Sequence, residues 1–267
     1  DLLPQRAKTP SGGSPTPTIH GEVRAKVALL KGCAQQLLAP QIEEATIRVL
    51  ARNGVETIVP DSQVCCGALA AHTGDLQQAK SFARRNLKAF PNDIDAIVTN
   101  AAGCGSGMQE YGLWLQGEHD EQAGRQFSSR VCDVTKFLFE LGWETPPPYS
   151  RPIRVAYHDA CHLAHAQRVR SEPRRLLESI PNVELVTIRD GDICCGSAGT
   201  YNIEQPDIAK RLGEQKAIAV EECQADFVVT GNIGCIMQLQ SHLSQPTPVV
   251  HTIELLDACY RGVELTG

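Results

Sequence analysis

Short apolar runs recur along the chain, separated by longer stretches with helical spacing of apolar residues. Val27 to Leu30 and Ile153 to Tyr157 read as buried strands. Each is followed by a helix-like segment, Gln41 to Asn53 closed by Gly54 as a C-terminal cap, and Pro173 to Ile180. Shorter strands, Glu56 to Val59 and Glu184 to Ile188, lead into polar loops. A second helix covers Leu76 to Phe90 in one half and Ile208 to Cys223 in the other, ahead of β-branched runs at Ile94 to Thr99 and Phe227 to Thr230. A strand and a helix close each half: Val131 to Val134 with Thr135 to Leu141, and Val249 to His251 with Thr252 to Tyr260. Strands that alternate with helices predict an α/β fold of βαβ units around parallel sheets.

The same order of elements occurs twice, and the residues repeat with it. Val27-Ala28 matches Val155-Ala156, Val55-Glu56 matches Val183-Glu184, and Ala79-Lys80 matches Ala209-Lys210. Asp95 to Thr99 reads against Asp226 to Thr230. The repeat is far longer than the 20 to 50 residues or so of a solenoid unit, so each copy is expected to be a domain. Thr145-Pro146-Pro147-Pro148 marks the boundary. The expected organisation is a linker at 1–24, rich in Pro, Gly, Ser and Thr, then tandem duplicated parallel-sheet domains at 25–148 and 149–267 related by a pseudo-twofold axis. At 267 residues each domain is long enough for a core of its own.

Charge narrows the function. A net charge of -6, with scattered arginines, leaves no electrostatic footprint for nucleic acid. No run of eighteen apolar residues and no secretory signal is visible, so a reducing cytoplasm is the expected location. There, eleven cysteines are expected to be ligands or buried thiols rather than disulfides.

Eight of the eleven follow the duplication. Cys33, 31 further residues, Cys65-Cys66-Gly67 and then Cys104 are matched by Cys161, 32 further residues, Cys194-Cys195-Gly196 and then Cys235. In a parallel sheet the loops at the carboxyl ends of the strands gather on one edge, which would unite each set of four. Four thiolates suit a [4Fe-4S] cube or a tetrahedral zinc ion. The absence of C-x2-C knuckles and the two adjacent cysteines favour one iron-sulfur cluster per domain, with zinc at one site or a vicinal disulfide as alternatives. Histidines crowd Cys161, and His158, His162 and His165 are candidates to orient a cluster or carry protons, joined by His72 and His251. Cys132, Cys223 and Cys259 have no matched counterpart and read as core residues. No nucleophile elbow, P-loop or dinucleotide fingerprint occurs.

These residues, with Lys31-Gly32-Cys33-Ala34-Gln35, Tyr157 to Leu163, Thr230 to Cys235 and the closing His251 to Leu256, carry a resemblance to the cysteine-rich CCG domain family. The chain is most similar to the iron-sulfur subunits of glycolate oxidase (glycolate dehydrogenase) within it. The resemblance implies a ferredoxin-like region ahead of the tandem domains, FAD-binding flavoprotein partners that oxidise the 2-hydroxy acid, and electrons passed to a quinone at the cytoplasmic face of the inner membrane. It also leaves lactate oxidation, or a heterodisulfide-reductase-like thiol chemistry, as alternatives. The family motif ends in C-x2-C, whose first member is Ala101 in one copy and Asn232 in the other, so four thiols per copy argue for electron-carrying sites rather than disulfide chemistry.

Overall fold

The apolar runs become eight strands in a computed structural model that describes residues 17–19 and 21–265. Most of the expected linker therefore lies outside the described residues. Copy one runs β1 (Ala25–Leu29), α1 (Cys33–Leu38), α2 (Gln41–Arg52), β2 (Val55–Ile58), α3 (Ala68–His72), α4 (Leu76–Ala89), β3 (Ala96–Thr99), α5 (Ala102–Gln109), α6 (Tyr111–Trp114), α7 (Glu121–Ser129), β4 (Val131–Asp133) and α8 (Val134–Leu141). Copy two runs β5 (Ile153–Tyr157), a π-helical turn (His162–Ala166), α9 (Ser171–Glu178), β6 (Val183–Val186), α10 (Tyr201–Glu204), α11 (Pro206–Glu221), β7 (Phe227–Thr230), α12 (Ile233–His242), β8 (Val249–His251) and α13 (Thr252–Arg261).

Both sheets are parallel throughout and share one order, β2-β1-β3-β4 and β6-β5-β7-β8. The α/β class and the tandem duplication are thus both present. All four residues of β3 and of β7 are buried, as central strands covered on both faces must be. The outer strands β2 and β6 are half exposed and correspondingly less apolar. In each sheet the chain first moves from β1 outward to β2 and then crosses back to β3, or from β5 to β6 and back to β7. That reversal opens a crevice beyond the carboxyl ends of the strands.

The copies do not have wholly separate cores. Leu29, Val49, Leu50 and Leu138 of copy one pack in one cluster with Ile153, Leu176, Val229 and Ile253 of copy two. Helix α13 lies on α2, and α8 lies on α9, the reciprocal contact expected of a pseudo-twofold. Arg48 on α2 grips Asp257 on α13 through two hydrogen bonds, of 2.9 and 2.8 Å, at the same seam. A sequence pattern gives the buried face of a helix but not which sheet that face will meet, which explains why two separate cores were expected.

Two further differences concern helices. The segments holding Cys104 and Cys235 are not loops, for both cysteines sit in the first turn of α5 and of α12. The short helices α1 and α3 also lie where only connecting loops were expected. Ala102–Gln109 contains three glycines and would not form a helix on propensity alone. It forms because packing needs small residues there: an added Cβ at Gly107 would come 2.7 Å from the Ala68 side chain.

Candidate metal centre between the two copies

Each cysteine follows a strand that ends at the crevice. Cys33 opens α1 after β1, Cys65 and Cys66 lie between β2 and α3, and Cys104 enters α5 after β3. Cys161, Cys194, Cys195 and Cys235 repeat the plan after β5, β6 and β7. The turn at each Cys-Cys-Gly depends on its glycine. Gly67 and Gly196 have φ of +84° and +92°, and an added Cβ would stand 3.2 Å from the Ala79 carbonyl oxygen in one copy and 2.5 Å from that of Ala209 in the other. Their N–H groups donate to the Cys65 and Cys194 sulfurs, at 3.5 and 3.3 Å.

The two sets face each other. All eight thiols line one cavity of about 170 Å³ between the copies, together with His72, His162, Asn232 and the loop Ser197-Ala198-Gly199. The sequence suggested a separate pocket in each copy; the pseudo-twofold turns both crevices inward onto a common space. No carboxylate lines this cavity among the described residues, so the donor set is soft and unsuited to calcium or magnesium.

The sulfurs of each set touch in a chain. The Cys33 thiol donates to the Cys65 sulfur at 3.5 Å, which pushes the Cys33 pKa well up, and the Cys104 sulfur together with burial pushes up Cys66. Copy two divides its thiols differently. Cys194 is held far below its ordinary value because the Cys161 and Cys195 thiols donate to it. Cys235 is likewise lowered, first by the Cys195 thiol and then by His158. Cys161 and Cys195, the donors, are raised. Thiolate character in copy two therefore rests on Cys194 and Cys235, and thiolates are the form that binds metals.

The candidate histidines separate into three groups. His158 is buried behind the sulfurs, and its donor atom lies within 4.8 Å of those of Cys195 and Cys235. His72 and His162 meet across the cavity from opposite copies, ring edge to face at 5.5 Å. Burial, and then the His72 ring, lower the His162 pKa. His165 and His251 do not line the cavity. His165 contacts Arg170 at the surface, and His251 caps α13 by accepting from the Ile253 N–H at 3.1 Å. Cys132 and Cys259 have thiols pushed up to about 12 chiefly by burial, and Cys223 donates to the Thr187 and Ala219 carbonyls. None of these three lines the cavity.

Two residues near the sulfurs were not picked out as site residues in the sequence. Asn232, seen there only as a departure from a motif, donates to the Cys235 sulfur at 3.5 Å and accepts from the Gly103 N–H of the other copy at 3.3 Å. Lys216 is buried on α11, where Ala209, Gly213, Ala217 and Val220 form the inward face. A lysine on that face was the available signal.

The cysteine-rich CCG domain profile matches residues 27–109 and 155–240. The chain is 34% identical over 244 residues to the "Probable glycolate oxidase iron-sulfur subunit" of Bacillus subtilis, covering 88% of this chain and 55% of that one. It is 30% identical over 241 residues to "Lactate utilization protein A" of Oceanobacillus iheyensis, covering 89% of this chain and 98% of that one. It thus spans about half the length of the Bacillus relative. Among solved structures, a hypothetical protein from Helicobacter pylori shares the fold, with a TM-score of 0.60 at 12% identity over 92% of this chain and 50% of that one. With the profile matching both copies and the relatives matching across their junction, the chain belongs to the cysteine-rich CCG domain family and carries its domain twice.

Proposed function

We propose that Cys33, Cys65, Cys66 and Cys104 hold one iron-sulfur cluster, that Cys161, Cys194, Cys195 and Cys235 hold another, and that the chain is the electron-transfer subunit of a flavin-dependent 2-hydroxy acid dehydrogenase. The observation that carries this reading is the convergence of eight thiols on one carboxylate-free cavity. The donor set fits the group: four sulfurs per copy, with a glycine N–H already donating to one sulfur in each. A bound cluster would supply one-electron transfer. The chain's residues supply thiolate ligands, backbone donors and an apolar wall that excludes water. The domain limits proposed are 25–148 and 149–267.

Glycolate is the proposed donor, with lactate as the alternative, because relatives are named for both. A flavoprotein partner would deliver the electrons, and a membrane quinone would receive them through peripheral contact. No helix among the described residues is long and apolar enough to cross a membrane. Ala101 and Asn232 stand where a fifth cysteine of each copy would be, which supports electron carriage over reduction of a disulfide substrate.

Anaerobic analysis of the purified chain tests the cofactor. The expected result is iron and acid-labile sulfide in equal amounts, about eight of each per chain for two [4Fe-4S] clusters, with an EPR signal on reduction. Zinc without sulfide would reject the reading.

A further inference from the structure

The two thiol sets are alike in sulfur and unlike in what stands behind it. Leu30 and His158 are equivalent residues, since each donates its N–H to the carbonyl of the matching strand residue, Val98 at 3.0 Å and Val229 at 2.8 Å. Helical register supplies a second pair. Gly67 packs on Ala79 and Gly196 on Ala209, and seven residues further along α4 and α11 stand Asn86 and Lys216.

Asn86 is neutral and fully used: it accepts from the Val64 N–H and donates to the Cys65 carbonyl and the Tyr111 hydroxyl. Lys216, 3% exposed, donates to the Asp190 carbonyl at 2.6 Å. Burial draws its pKa down, and Cys195 is the foremost neighbour acting the other way. His158 is 1% exposed, neither ring nitrogen has a hydrogen-bond partner among the described residues, and one of them lies within 4.8 Å of the Cys195 and Cys235 sulfurs.

The other charges nearby do not cancel this difference. Asp190 and Asp192 are exposed and screened by solvent. Asp159 is paired with Arg174 at 2.6 and 2.5 Å, and its counterpart Lys31 is paired with Glu43 at 3.6 Å. A buried amine and a buried imidazole remain, on one side only.

We propose that Lys216 and His158 give the sulfur set of copy two a higher reduction potential than that of copy one, so that the chain has a built-in direction. Adding an electron to a thiolate-bound centre adds negative charge. A buried cation on the helix that backs the Cys194-Cys195-Gly196 turn, and an imidazole nitrogen within 4.8 Å of the Cys195 and Cys235 sulfurs, favour that state, and the equivalent positions of copy one hold an amide and a leucine. One electron passes from the reduced site of copy one to the oxidised site of copy two, and no bond forms or breaks. Lys216 is a positioning residue for charge and does not touch substrate. The inference rests on the cluster reading above.

A dye-mediated redox titration followed by EPR, on the anaerobically purified chain and its variants, tests the inference. Two separate one-electron waves are expected. Lys216→Met lowers only the higher wave, by about tenfold in its reduction equilibrium, which is about 59 mV. Lys216→Arg retains it, and Leu30→His raises only the lower wave. A single wave, or a Lys216→Met protein with full iron and sulfide whose waves both move or both stay, overturns the inference while the cluster reading stands. A chain without iron and sulfide overturns both.

Discussion

Asp133 and His251 stand at the same place in the two copies, each at the end of the last strand and each capping the helix that follows. Asp133 accepts from the Thr135 N–H, and His251 accepts from the Ile253 N–H. One geometric task is done by two side chains whose pKa values burial shifts in opposite directions. The same division appears at Leu30 and His158, at Asn86 and Lys216, and at Ala101 and Asn232. Duplication has kept the thiols, the glycine turns and the backbone, whose roles are geometric. It has let the buried polar residues around them diverge, and those residues determine how charge is held.

Replacing one equivalent cysteine at a time gives the sharpest break between the copies. Cys66→Ser is expected to remove the site of copy one and Cys195→Ser that of copy two, each halving the iron and sulfide bound per chain while the other half remains. If either replacement empties both sites, the shared cavity holds a single unit and the comparison loses its basis.

The glycines rank next. Gly196→Ala is expected to cost about 4 kcal/mol and Gly67→Ala about 2 kcal/mol in urea unfolding, since both force a side chain into the left-handed region but the clash with the main chain is closer in copy two. Equal losses would mean that the Ala209 carbonyl relaxes away.

The helix caps give opposite pH responses. Burial pushes the Asp133 carboxyl up to about 6 from 3.8. Its protonated form suits the fold, so stability is full below pH 4 or so and falls as pH rises to about 6, by about 3 kcal/mol. Burial lowers His251 to about 4 from 6.5. Its neutral form suits the fold, so stability present above about pH 6.5 is lost as pH falls to about 4, by a similar amount. Asp133→Asn is therefore expected to stabilise the chain above pH 6, and His251→Asn to reduce its loss at pH 4, as read from urea midpoints across that range. The smallest effect is Asn232→Ala, which copies Ala101 of the first half. Loss of its bond to the Gly103 N–H is expected to lower stability by about 1 kcal/mol in the same assay.

Much of this comparison was readable before folding. The runs ending at Leu30, Thr99, Tyr157 and Thr230 declared themselves as strands because a strand buried on both faces must be apolar at nearly every position. Their observed ends lie within two residues of expectation. Helix α5 did not declare itself, because its Ala-Gly-Cys-Gly-Ser-Gly composition reads as a loop. Only close approach to Ala68, and to Gln167 across the seam, makes those small residues favourable. His251 was a weaker candidate to orient a cluster or carry protons, yet its ring turns to the start of α13 and remains outside the cavity.

The number of thiols, their grouping into two equal sets, the parallel sheets and the edge where those thiols gather were all determined by residue order, because periodicity and strand-to-loop succession are local properties of a chain. The meeting of both sets in one cavity and the opposition of His72 to His162 were decided by the packing of α2 on α13 and α8 on α9, and the placement of Lys216 and His158 behind only one set by the packing of α11 and β5 within copy two. The α2–α13 contact joins residues 209 positions apart, and burial and electrostatic coupling take their values only once such distant surfaces have closed on one another.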